Sequence, residues 1–159
     1  MRKFLLFLIL PLALSLVSCS REVRAEHCEL GIILSSDFEP CDTGGAFDLA
    51  YSDGELTVGM VRVSYAALVD SGIPATLSVR ELAELYRASS GHSKTVFDYG
   101  DTVYYTYTAG GGGLSYRYVP TFFRTPYAYF IITFIFPEGG GWDIETALAL
   151  TGGVYLINN

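Results

Sequence analysis

The sequence predicts an α+β fold: one antiparallel sheet of about six to seven strands, covered by helices on both faces. Two observations predict it. In the second half of the chain, Lys94 to Asp98, Thr102 to Thr108, Leu114 to Phe123 and Tyr127 to Phe136 are rich in aromatic and branched residues, with turn residues between them. The last of these runs is apolar on both faces, with Tyr129, Ile131 and Ile135 on one and Phe130, Ile132, Phe134 and Phe136 on the other. A strand wet on one side would alternate, so this one must be covered twice, most simply by helices.

The first elements precede the meander. Glu29 to Leu34 is a short apolar run, and Ser35 to Gly45 collects turn-forming residues, so a strand followed by a loop is expected. Phe47, Leu49 and Tyr51 alternate with Asp48 and Ala50. After Ser52-Asp53-Gly54, Leu56, Val58 and Met60 alternate again. That pattern around an Asp-Gly turn predicts a β-hairpin. Ser64 to Asp70 reads as a helical turn ended by Gly72-Ile73-Pro74.

The helices carry their own start signals. Ser78 and Glu81 have the spacing of a capping box, and Val79, Leu82, Ala83 and Tyr86 then share one face, predicting an amphipathic helix to about Ser90. A second helix is predicted near Asp143 to Thr151, with Ile144, Ala147 and Leu148 on one face and Gly152 as terminator, to supply the other layer. Turns are expected at Tyr99-Gly100-Asp101, Gly110 to Gly113 and Thr125-Pro126, and a final strand at Val154 to Ile157. Pro120 lacks a backbone donor, which puts its strand at an edge or at a bulge.

The N-terminus has the layout of an export signal. Arg2 and Lys3 precede an apolar run from Phe4 to Val17. At 14 residues it is shorter than the roughly 20 that span a bilayer. Leu16-Val17-Ser18-Cys19 resembles the lipobox of bacterial lipoproteins. That resemblance implies cleavage before Cys19, lipidation of its thiol and a lipid anchor on the outer face of a cell membrane or an outer membrane. Ser20 resembles the version sorted outward. The expected organisation is a signal at 1–18, a lipidated tether at 19–27 and one globular domain at 28–159.

Of the three cysteines, assigning Cys19 to lipid leaves Cys28 and Cys41 as an even pair. A disulfide between them would contribute on the order of 3 kcal/mol in the chain-entropy model. The other reading is two free thiols that point apart. Without the signal, eight basic residues face seventeen acidic ones, a charge of −9 that repels nucleic acid and anionic headgroups.

The strand Leu56 to Val63, the helix Ser78 to Ser90 and the segment Ala128 to Pro137 resemble PsbP-like domains, DcrB and small uncharacterised exported lipoproteins of clostridial type. The likeness covers about residues 29–157. It implies a helix-sheet-helix sandwich and carries over no catalytic residue. The glycine run Gly110 to Gly113 departs from the pattern.

No motif specifies chemistry. Asp42-Thr43-Gly44 matches an aspartic protease triplet in letters, but Glu39-Pro40-Cys41 precedes it instead of an apolar strand. Ser89 to Thr95 lacks the glycine before lysine that a phosphate loop needs. His92 reads as a solvated residue at the helix exit, His27 as part of the tether, and Asp37, Glu39, Asp42 and Asp48 fit no known calcium loop. No cofactor or metal is expected.

Tyrosine is the one excess, twelve in all, of which Tyr104, Tyr105, Tyr107, Tyr116, Tyr118, Tyr127 and Tyr129 fall in the expected sheet. Tyrosine serves either as a strand residue filling cross-strand pairs or as a binding surface, for which Tyr104, Tyr107 and Tyr116 are the candidates. The expected function is a non-enzymatic binding or accessory module at the membrane for an envelope protein or ligand. The alternatives are a hydrolase of envelope peptides or glycans using Asp42 or His92, and a structural lipoprotein without ligand.

Overall fold

The computed structural model describes residues 22–91, 95–111 and 113–157. Cys19 and the export signal, His92 and Lys94 lie outside the described residues. The strands are β1 (Glu22–His27), β2 (Leu30–Ser35), β3 (Glu39–Pro40), β4 (Leu49–Ser52), β5 (Thr57–Ser64), β6 (Phe97–Tyr99), β7 (Thr102–Tyr104), β8 (Tyr107–Gly111), β9 (Leu114–Arg124), β10 (Ala128–Pro137) and β11 (Val154–Leu156). The helices are α1 (Tyr65–Asp70), α2 (Val79–Ser90) and α3 (Ile144–Ala149), the last running on into a 3₁₀ turn at Leu150–Gly153.

Eight strands make the main sheet, in the order β3-β4-β5-β10-β9-β7-β6, with β8 also paired to β9. Every pairing in it is antiparallel. The hairpin expected around Asp53-Gly54 is β4 and β5, with the Asp53 carboxylate accepting from the backbone N–H groups of Glu55 and Leu56. Helix α2 starts where its capping box places it. Ser78 Oγ accepts from the Glu81 N–H at 3.2 Å, and the Glu81 carboxylate accepts from the Ser78 N–H at 2.7 Å. Gly91 closes the helix at φ 67°, where any side chain would be strained.

The expected sandwich with helices on both faces is corrected here. On one face of β10, Tyr129 and Ile131 pack with Phe122 against Leu68 of α1 and Leu82 and Ala83 of α2. On the other, Phe130, Ile132, Phe134 and Phe136 are covered chiefly by a second sheet, of strand order β1-β2-β11, through Ala25, Leu30, Ile32 and Leu34. The six-residue α3 adds Ala147 and Leu148 to that layer, with Ile144 packed against it. The chain is therefore mostly β, with helices, main sheet and small sheet as successive layers. A strand apolar on both faces demands two covers, and a sheet satisfies the demand as well as a helix does.

The small sheet also corrects the tether. Glu22–His27 is strand β1, paired in register from Glu22 opposite Ser35 to His27 opposite Leu30. Its side chains look polar because it is an edge strand that buries only Ala25.

Pro120 lies on β9, inside the sheet between β10 and the β7/β8 side. Its carbonyl accepts from the Tyr105 N–H at 3.3 Å, so its missing donor points to the same side. There the neighbouring strand is interrupted at Tyr105 and Thr106, between β7 and β8. The ladder breaks where one of its donors is absent.

Candidate functional site

The sheet face that carries α1 and α2 extends beyond them. Under the helices, Tyr86 meets Phe122 edge-on at 5.8 Å, and Tyr105 lies tilted on Phe122 at the same distance. Tyr107 then stacks on Tyr105 at 6.2 Å and on Tyr118 at 4.8 Å with the last two rings only 7° from parallel. The result is an aromatic ladder leading from the helix-covered core to the half-exposed end of the sheet.

The register shows where cover stops. Pro120, Thr133, Gly59 and Ala50 are paired across adjacent strands and are all buried. One rung further, Tyr107, Tyr118, Ile135, Thr57 and Ser52 are paired across five strands, and every one is half-buried. With strands about 4.8 Å apart, this rung measures about 19 Å across the sheet. The next rung adds Ala109, Tyr116 and Pro137, also half-buried. No formal charge lies on either rung, so an occupant would be held by apolar area, ring faces and hydroxyl groups.

Burial pushes the Tyr107 phenol up to about 12, and the neighbouring Tyr105 and Tyr118 add to the effect. Tyr105 is raised by burial in the same way. These phenols are therefore neutral donors near neutral pH.

Of the three expected surface tyrosines, the structure groups two and separates the third. Tyr107 and Tyr116 share this face with Tyr118. Tyr104, paired with Thr121, points to the opposite side, stacks on Phe97 at 5.4 Å and packs against the core beneath the small sheet. Alternation alone already puts Tyr104 opposite to Tyr105 and Tyr107, and the interruption at Tyr105 and Thr106 leaves that division unchanged.

A second constellation was not legible in the sequence. The β1–β2 turn places Cys28 at φ 53°, with its Sγ exposed and 3.8 Å from His27 Nε2. His27 Nε2 lies 3.5 Å from the Asp48 carboxylate, which in turn accepts from the Arg62 N–H at 2.7 Å. The Arg62 guanidinium donates to both oxygens of Glu29, at 3.1 Å each from Nε to Oε2 and Nη2 to Oε1. Burial alone would push the Glu29 carboxyl up, but hydrogen bonds from Arg62, its own backbone and Thr125, with the Arg62 charge, bring it below its ordinary value. A cleft of about 480 Å³ opens here, lined by Cys28, Glu29, Arg62, Pro126, Tyr127 and Leu156 among others.

Cys28 and Cys41 are both free thiols, so the disulfide reading is not the one the structure adopts. Cys28 belongs to the small-sheet turn and Cys41 follows β3 at the edge of the main sheet. Burial, and then the Asp42 charge, raise the Cys41 thiol. Asp42 itself is exposed and closes a local turn, its Oδ1 accepting from the Gly44 N–H at 2.8 Å.

No family model matches the chain, and no curated protein matches it. Among solved structures it is similar to a protein of Bacteroides thetaiotaomicron VPI-5482, determined at 1.50 Å resolution, with a TM-score of 0.53 and 12% identity. The likeness is one of fold. The match covers 81% of this chain and 45% of the other, so the chain spans less than half of that protein's length.

Proposed function

We propose that this chain is a lipid-anchored, extracytoplasmic binding module, and that its contact surface for an envelope protein is the half-exposed rung Tyr107, Tyr118 and Ile135 with the adjacent Tyr116. The observation that carries the reading is the parallel stack of Tyr107 on Tyr118 at 4.8 Å, set on an uncharged, half-buried stretch of sheet. Rigid aromatic side chains give large contact area at low entropic cost, which is why they dominate binding hot spots. The anchor rests on the Leu16-Val17-Ser18-Cys19 pattern.

Two experiments test the reading. Affinity capture from detergent-solubilised envelopes should recover a partner with the wild-type chain and with Tyr104→Ala, whose side chain lies on the opposite face. Recovery with Tyr107→Ala/Tyr116→Ala should fall by about tenfold or more, as loss of hot-spot residues predicts. Undiminished recovery with the double variant would remove this surface from consideration, and binding of isolated cell-wall glycans instead would replace the partner class. Separately, Cys19→Ser should abolish fatty-acid labelling and release the chain from the membrane fraction.

A further inference from the structure

We infer that Cys28 is a thiol–disulfide exchange site, which takes a small aliphatic disulfide into the cleft beside the Glu29–Arg62 pair and forms a mixed disulfide with half of it. The inference stands apart from the aromatic surface and rests on four features that converge on one atom.

The first is access. Cys28 is exposed at the mouth of the cleft, whose far side is formed by Pro126, Tyr127 and Leu156, with Tyr127 68% and Leu156 52% exposed. The second is a base, since His27 Nε2 lies 3.8 Å from Sγ, within the reach of a thiol hydrogen bond. Third, the Asp48 carboxylate at 3.5 Å from the same nitrogen faces the imidazolium that would form. Fourth, the Arg62 guanidinium, paired with Glu29, lines the same cleft as Cys28. Cys41 has none of these and sits beside the Asp42 charge, which disfavours its thiolate.

The incoming disulfide is itself the oxidant, so the exchange balances with no further reagent. With its proton on Nδ1, His27 accepts the Cys28 thiol proton at Nε2. The thiolate attacks one sulfur of the incoming disulfide, a new bond forms to Cys28 Sγ, and the original sulfur–sulfur bond breaks. The departing thiolate takes the proton back from the imidazolium and leaves as a thiol. Cys28 is oxidised to the disulfide level, and half of the reagent is reduced. Arg62 meets Glu29 side-on through its Nε–Nη2 edge, and the two opposite charges compensate each other in the cleft. Neutral disulfides suit it best.

The test uses the full chain in detergent with bis(2-hydroxyethyl) disulfide at neutral pH, acid quenching and peptide-resolved mass spectrometry, with a cysteine tripeptide in the same solution as rate reference. Relative to that reference, Cys28 should react about tenfold faster in the folded chain than in the urea-unfolded one, while Cys41 reacts more slowly when folded. His27→Gln should return folded Cys28 to the unfolded rate. Exposure alone would make the folded and unfolded rates equal. That equality, an unchanged rate in His27→Gln, or closure of a Cys28–Cys41 disulfide in place of the adduct would each overturn the inference.

Discussion

Glu29 and Arg62, 33 residues apart, close a bidentate ion pair that ties the turn of the small sheet to strand β5 of the main sheet. The Glu29 side chain is only 13% exposed, and Thr125 Oγ1 donates to it as well, from the turn before β10. One carboxylate thus connects three segments distant in sequence.

Removing one partner should cost more than a surface pair does, because it leaves the other poorly solvated. Arg62→Met is expected to lower unfolding free energy by about 1–3 kcal/mol in urea denaturation. Since the folded Glu29 carboxyl lies below its ordinary value, its contribution is fully present above the unfolded value of about 4.3 and is lost as pH falls through the folded one. Glu29→Gln should therefore flatten the acid limb of a stability-versus-pH curve. An identical acid limb would show that the pair is not linked to folding.

Gly59 is required by its neighbour. A Cβ there would come within 2.5 Å of the Phe47 ring, which lies across the glycine on the helix-bearing face. Gly59→Ala should displace Phe47 and destabilise the domain by about 1–3 kcal/mol, read as a lower urea midpoint at unchanged slope. A midpoint equal to that of the wild type would mean that the ring moves aside freely.

The capping box of α2 should behave as a local module. Ser78→Ala removes the acceptor for the Glu81 N–H and is expected to cost about 1 kcal/mol, with hydrogen exchange accelerated in the first turn of α2. Uniform acceleration across the sheet instead would show that the cap acts on the whole fold.

Alkaline stability should report the aromatic ladder. The folded Tyr107 phenol is held at about 12, whereas an unfolded chain ionises near 10. Its contribution is present below the unfolded value and is lost as pH rises toward the folded one. Tyr107→Phe should reduce the loss of stability between about pH 10 and 12, measured by chemical denaturation. Tyr155, also pushed up to about 12 by burial and the Glu26 carboxylate, should continue to contribute in that variant.

Local structure was legible wherever a residue pattern acts on its own neighbours. Ser78 and Glu81 start α2, Asp53-Gly54 turns the β4–β5 hairpin, and the aromatic runs become β9 and β10. The tyrosine excess was visible too. Alternation divides Tyr104 from Tyr105 and Tyr107, but which part of either face stays open was not legible, because it depends on how far α1 and α2 cover the sheet. His27 reads as tether because a polar edge strand with one buried residue differs little in composition from a linker.

The sequence alone determined that β10 is apolar on both sides and that α2 is capped at Ser78, for each of these depends on spacing or composition within a few residues. Only the tertiary structure decided what covers the second face of β10, and it chose the β1-β2-β11 sheet over a helix. The burial of apolar area is non-directional and rewards either cover alike. The choice fell to long-range backbone pairing, such as Leu156 with Leu30, which no local pattern encodes.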